Sequence, residues 1–213
     1  MKIEIKNVTK KFKSNVVLDN VNLTFESGNI YGLVGRNGSG KSVLLKMICA
    51  FYEPTDGEIL FDGINVIKNH DFPKDTRALI ENPSFLPDLT GYENLKILAD
   101  IQRKIGKKEI EQALETVNLL SEKDKKYSQY SLGMKQKLGL AQVFMEDPQI
   151  MILDEPFNGV ENKTAEKLRN YLIEEKKKGK IIIIATHIQE DIKELADYVY
   201  EFDAGIINEL KEK

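Results

Sequence analysis

The sequence predicts an α/β fold with a parallel-sheet core, an N-terminal antiparallel β subdomain and an inserted α-helical subdomain. Three observations carry that reading. Residues 30–34, 150–153 and 181–185 are short, almost continuously apolar runs, the pattern of strands buried on both faces. Between the last two, Ala165, Leu168 and Leu172 recur at i, i+3 and i+7 as the stripe of an amphipathic helix. That strand, helix, strand order implies parallel pairing with a right-handed crossover. By contrast, residues 2–8 and 21–25 alternate polar with apolar side chains, as half-buried antiparallel strands do.

In chain order, the two alternating strands come first, and the buried strand at 30–34 then runs into a glycine-rich turn. A helix follows over about 40–50, then a short strand at 58–61 between Asp56-Gly57 and Asp62-Gly63 turns. The middle of the chain is helical. Leu95, Leu98 and Ala99 start one apolar stripe, and Ile110, Ala113, Leu114 and Val117 form another at i, i+3, i+4 and i+7. Pro83, Pro87 and Gly91 interrupt the path into this region. A helical lobe is therefore expected at about 82–140, inserted in a single domain over 1–213 whose core and β subdomain take 1–81 and 141–213.

The 213 residues suffice for one large core. With 41% hydrophobic and 31% charged residues, neither a disordered nor a membrane-embedded chain is suggested. No apolar run approaches the ~18–20 residues that cross a bilayer, so a membrane role requires a partner. Residues 1–8 read as a strand and not as a signal peptide, which implies retention in the cytoplasm. A net charge of −3 supplies no basic field to recruit nucleic acid. The lysine clusters at 123–126 and 176–180 are flanked by Glu and read as solvated helix ends. The single cysteine, Cys49, lies among Leu45, Met47 and Ile48 and reads as a buried structural thiol. His70, between Asn69 and Asp71, reads as a surface residue.

Gly35-Arg36-Asn37-Gly38-Ser39-Gly40-Lys41-Ser42 fits G-x-x-x-x-G-K-[ST] and sits between a buried strand and a helix, followed on that helix by Val43. The glycines let backbone N–H groups turn inward on phosphate oxygens, and the helix N-terminus adds partial positive charge. Lys41 is expected on the β- and γ-phosphates, and the Ser42 hydroxyl on Mg²⁺. A nucleoside triphosphate site in a P-loop NTPase core follows, but the motif alone does not separate kinases, GTPases and ATPases.

The strand at 150–153 ends in Asp154-Glu155-Pro156. Asp154 is placed to hold Mg²⁺, and Glu155 to orient and deprotonate an attacking water, a hydrolase arrangement more than a kinase one. The strand at 181–185 ends in Thr186-His187, where the imidazole can hydrogen-bond the γ-phosphate.

Taken together, these residues resemble ABC-type ATPases along nearly the entire chain. The distinguishing segment is Tyr130-Ser131-Leu132-Gly133-Met134-Lys135-Gln136, which is similar to that family's signature sequence. The resemblance implies that Ser131 and Gly133 bind the γ-phosphate held by a second cassette, so that a homodimer or heterodimer sandwiches two ATP molecules. It implies that Phe12 stacks on adenine, with Val17 giving apolar contact, and that Asn158-Gly159-Val160-Glu161 communicates across the dimer. It also implies a separate transmembrane permease and a position on the inner face of the membrane.

Departures from the family pattern are Leu132 and Met134 in the signature, Glu161 where Asp is usual, and Glu81 where Gln generally senses Mg²⁺. A carboxylate at 81 can still bind Mg²⁺, but it adds charge near the γ-phosphate. The segment 78–94 is similar to the bacitracin and lantibiotic peptide-export branch, which implies export of, or immunity to, antimicrobial peptides or drugs. The alternatives are a soluble ABC-type ATPase of DNA repair or translation and an ATP-binding regulator without turnover. The first lacks its coiled-coil insertion or second cassette here, and Asp154, Glu155 and His187 weigh against the second.

Overall fold

Alternation in the first 26 residues builds a three-stranded antiparallel sheet of order β2-β1-β4 from β1 (Lys2–Phe12), β2 (Asn15–Glu26) and β4 (Asp56–Phe61). In the computed structural model, which describes residues 1–69, 71–203 and 205–212 and the side chains of these up to 210, Ile3 pairs with Phe25 and Ile5 with Leu23. His70 lies outside the described residues. β1 runs four residues past the expected end, so Phe12 closes a hairpin against Asn15.

The second sheet has the order β5-β6-β7-β3-β8-β9, with β3 at Asn29–Gly35, β5 at Thr76–Leu79, β6 at Ile150–Asp154, β7 at Ile181–Ala185, β8 at Tyr198–Asp203 and β9 at Ile206–Glu212. Its pairs are parallel except for β8 with β9. Every residue of β6 and β7 is buried, as the apolar runs require of strands covered on both faces. Period-two geometry divides those residues between two cores. Ile150, Ile152, Ile181 and Ile183 face α1 (Lys41–Ile48) and the antiparallel sheet. Met151, Leu153, Ile182 and Ile184 face the opposite layer.

That layer holds α2 (Gly91–Gln102), α3 (Lys107–Thr116), α4 (Leu132–Phe144) and α5 (Asn162–Lys177). The stripe Ile110, Ala113, Leu114 and Val117 is buried there with Leu95, Ala99 and Leu138. Thr90 starts α2 with a capping box closed by Glu93. α4 lies close on β5 at Gly139, where a Cβ would stand 2.8 Å from Leu79. A short α6 (Gln189–Leu195) follows β7.

Cys49 is buried, and burial pushes its thiol up to about 12. One expectation fails in part. Lys180 is not a solvated helix end: its side chain is 2% exposed and ion-paired with Asp147 and with Glu175, itself 3% exposed. The turn at Gly179 carries the chain from α5 straight into β7, so Lys180 enters the protein with the strand.

Candidate active site

β3 ends at Gly35, whose φ of 144° and close approach to the Phe202 carbonyl leave no room for a side chain; a Cβ there would lie 2.4 Å from that oxygen. The loop returns to α1 through Gly40, in the left-handed region at φ 107°. Inside the loop, Lys41 Nζ donates to the carbonyls of Gly35 at 2.7 Å and Arg36 at 3.0 Å. Burial lowers the Lys41 pKa, against the pull of the Glu155 and Asp154 carboxylates. The Ser39 hydroxyl is buried without a hydrogen-bond partner among the described residues, an unmet polar group that a phosphate oxygen can meet.

Across the cavity, Asp154 ends β6, and its Oδ2 accepts from the Ser42 hydroxyl at 2.6 Å. Burial raises its carboxyl pKa, with the Ser42 bond opposing and the Glu155 charge adding. This is an oxygen-only pair. It fits a hard cation such as Mg²⁺, which takes one or two protein ligands and leaves its other positions to water and phosphate.

Glu155 lies just past the strand in the left-handed region, at φ 47°. A non-glycine residue held there marks a backbone fixed by its surroundings. The surroundings are explicit. Its N–H donates to Ala185 at 2.8 Å, and Gln136 Nε2 donates to the carbonyls of Glu155 at 2.9 Å and Pro156 at 3.2 Å. That turn brings both acids to one side, as a strand end already leaving the pleat allows. The Glu155 carboxylate accepts from Thr186 Oγ1 at 3.1 Å and the His187 N–H at 3.2 Å, and its Oε1 lies 2.7 Å from His187 Nδ1.

A cavity of about 410 Å³ is lined by Val17, Asn37, Gly38, Gly40, Lys41, Ser42, Val43, Glu81, Asp154 and Glu155. Ten residues expected at the nucleotide and metal site thus meet at one place. Asn82, Gln136 and Asn158 complete the lining. Gln136 carried a signal that went unread: a polar side chain at a buried helix position, 6% exposed, needs partners. Lys46 carried another, one helical turn beyond Ser42 and on the same face. It pairs with Glu81, whose carboxylate is 2.5 Å from Lys46 Nζ and whose backbone is left-handed at φ 61°.

Other expected residues lie beside this cavity or away from it. Phe12 is 40% exposed, packs edge-on against Tyr52 and carries the Lys10 ammonium over its ring. Ser131 caps α4, its Oγ accepting from the Met134 N–H at 3.3 Å. Gly133 touches the Gly159 carbonyl so closely that a Cβ would lie 2.3 Å from it. Leu132 between them is exposed, and Glu161 pairs with Lys137 at 3.4 Å.

The ABC transporter family profile matches residues 18–158. The chain is 42% identical to the ABC transporter ATP-binding protein YybJ of Bacillus subtilis (strain 168), over 95% of this chain and 93% of that one. It is 41% identical to the bacitracin transport ATP-binding protein BcrA of Enterococcus faecalis, over 92% of this chain, and spans 65% of that relative's length. Among solved structures, an ATP-binding subunit of an ABC transporter superposes with a TM-score of 0.87 at 26% identity, covering 99% of this chain and 90% of that chain. The dimeric cassette MJ0796, in a post-hydrolysis state with ADP and Pi, shares the fold at a TM-score of 0.87 and 24% identity, covering 99% of this chain and all of that one.

Proposed function

Because the chain belongs to the ABC transporter family of ATP-binding proteins, we propose that it binds and hydrolyses ATP to drive a separate membrane permease. The observation that carries this is the Ser42–Asp154 hydrogen bond at 2.6 Å, with Glu155 next in the chain and Lys41 across the same cavity. In this reading the loop from Gly35 to Ser42 wraps the triphosphate with its backbone N–H groups, and Lys41 exchanges two carbonyl partners for phosphate oxygens. Ser42 and Asp154 would hold Mg²⁺, which when bound neutralises charge on the β- and γ-phosphates. Glu81 faces the same space from its ion pair with Lys46 and is the third candidate oxygen donor.

Glu155 acts as the base. It orients a water in line with the γ-phosphorus and accepts its proton while the bond to the β–γ bridging oxygen breaks. His187, exposed and hydrogen-bonded to Glu155, aligns the carboxylate and meets the γ-phosphate. Val17 and Phe12 form the apolar side for adenine, with Phe12 turning from Tyr52 to stack on the base.

Ser131 and Gly133 serve a second copy or a homologous cassette. Neither is among the lining residues of this chain's own cavity, which supports that reading, as does the dimeric form of MJ0796. The permease is contacted by the helical lobe at about 82–140, around 81–91, with the chain held peripherally on the inner face of the membrane. Among the described residues no helix is long and apolar enough to cross a membrane. The likeness to BcrA, together with segment 78–94, supports export of antimicrobial peptides such as bacitracin, or immunity to them.

The test is Glu155→Gln. ATP binding is expected to persist, hydrolysis to stall and an ATP-bound dimer to accumulate on size-exclusion chromatography. Normal turnover in that variant removes Glu155 from the mechanism.

A further inference from the structure

Glu155 and His187 sit at the ends of different strands, yet their side chains must stay 2.7 Å apart to act together. One side chain outside the cavity, Arg169 on α5, reaches both segments. Its guanidinium carbon lies 5.6 Å from the ring centroid of Phe157, two residues past Glu155. Its Nε donates to Asp191 Oδ1 at 2.9 Å, and Nη1 lies 3.1 Å from Glu194 Oε2, both on α6, which begins two residues past His187.

The setting separates this from a surface ion pair. Asp191 is 1% exposed, and its Oδ2 has no partner among the described residues. Burial raises its carboxyl pKa, with Arg169 opposing and Glu190 and Glu194 adding. A carboxylate so placed costs stability unless a cation is held against it. From the other side α6 is pressed on the core sheet, where a Cβ at Gly32 would stand 2.7 Å from Ile192 Cδ1. The ring of Phe157 is buried as well. Only arginine presents a flat face to a ring and a fork of donors to carboxylates at once.

We infer that Arg169 is a positioning residue which, by tying Phe157 and Asp191 to one guanidinium, fixes the Glu155 carboxylate against His187. The inference rests on the hydrolytic reading above. Residues Phe157 and Asp191 do not line the nucleotide cavity, so loosening this joint should slow the chemical step and spare ATP binding.

The experiment compares Arg169→Met with Lys176→Met in steady-state ATPase assays and thermal melts of the full chain. Lys176 also ties α5 to a later segment, through Asp197 at 2.9 Å, and among the described residues it is ion-paired with neither the Glu155 turn nor the His187 turn. Arg169→Met is expected to lower kcat about tenfold with KM for ATP within about twofold. Lys176→Met should keep kcat within about twofold at a similar loss of Tm. Phe157→Leu, which keeps apolar volume but removes the ring face, gives a second reading should Arg169→Met not fold, with kcat again falling at constant KM. Wild-type kcat in either joint variant, or equal loss in Lys176→Met, overturns the inference. Glu155→Gln is run in parallel. A normal rate there removes Glu155 from the mechanism and the joint with it, whereas a stalled Glu155→Gln beside an undiminished Arg169→Met overturns the joint alone.

Discussion

Asp154 shows at the scale of one side chain how a functional carboxylate works against the stability of the empty protein. Burial holds its pKa above the ordinary carboxylate value, so at neutral pH the folded state carries a charge it would more readily lose. The sign follows: stability from this group falls as pH rises from the unfolded pKa through the folded one, because the native state binds the extra proton. Asp154→Asn is therefore expected to raise the melting temperature of the nucleotide-free protein, by about 2–4 °C per kcal/mol relieved, while abolishing turnover. The gain should shrink as pH falls toward and below the ordinary carboxylate value, as thermal melts over a pH series would show; a gain that did not change there would exclude the buried charge as its source. Cys49 gives a second prediction at this scale. A thiol pushed up to about 12 holds almost no thiolate at pH 8. Native protein should resist alkylation by iodoacetamide there, and unfolded protein should react promptly.

At the scale of elements, α4 joins the signature segment to the acidic strand end. Gln136→Leu removes both donors to the Glu155 and Pro156 carbonyls, and is expected to cost about 1–3 kcal/mol, read in chemical denaturation. The Lys180–Glu175 pair fixes the end of α5 to the start of β7. Lys180→Ala leaves the buried Glu175 carboxylate with its Lys178 partner at 2.5 Å, and should destabilise by about 1–3 kcal/mol. A loss below about 1 kcal/mol, typical of surface pairs, would show that water reaches Glu175. Lys180 was opaque in the sequence because a lysine at the end of a charged cluster looks solvated until the turn that buries it is known. β6 and β7 were legible because strands covered on both faces need unbroken apolar runs. α6 was not: seven residues are too few for a helical period to declare itself. β8 alternates Tyr198, Tyr200 and Phe202 with Val199, Glu201 and Asp203, but its pairing depends on β3, far away in sequence, and β9 in turn pairs with β8. The phosphate loop and Asp154-Glu155 could be read because their chemistry needs fixed residue types at fixed spacing. Gln136, Lys46 and Arg169 act through partners that only the fold brings near.

On the scale of the whole molecule, the cavity opens where β3, β6 and β7 all end, the carboxyl edge at which parallel sheets bind ligands. Each of the two cores lies against one face of that sheet, so a ligand gripping the edge braces both. ATP with Mg²⁺ at about one hundred times its Kd should add about 2.7 kcal/mol of stability. That corresponds to a rise of about 5–10 °C in Tm for a chain of this size. Lys41→Ala should erase most of the shift. The strand order also governs how the protein is made. β3 carries the phosphate loop and leaves the ribosome well before both of its hydrogen-bonded neighbours, β7 and β8. A nascent chain ending before Ile181 would hold the loop on a strand with neither partner, so nucleotide affinity should arrive abruptly once β7 and β8 are translated. A ribosome-arrested ladder of lengths, probed with a fluorescent ATP analogue, would show that step.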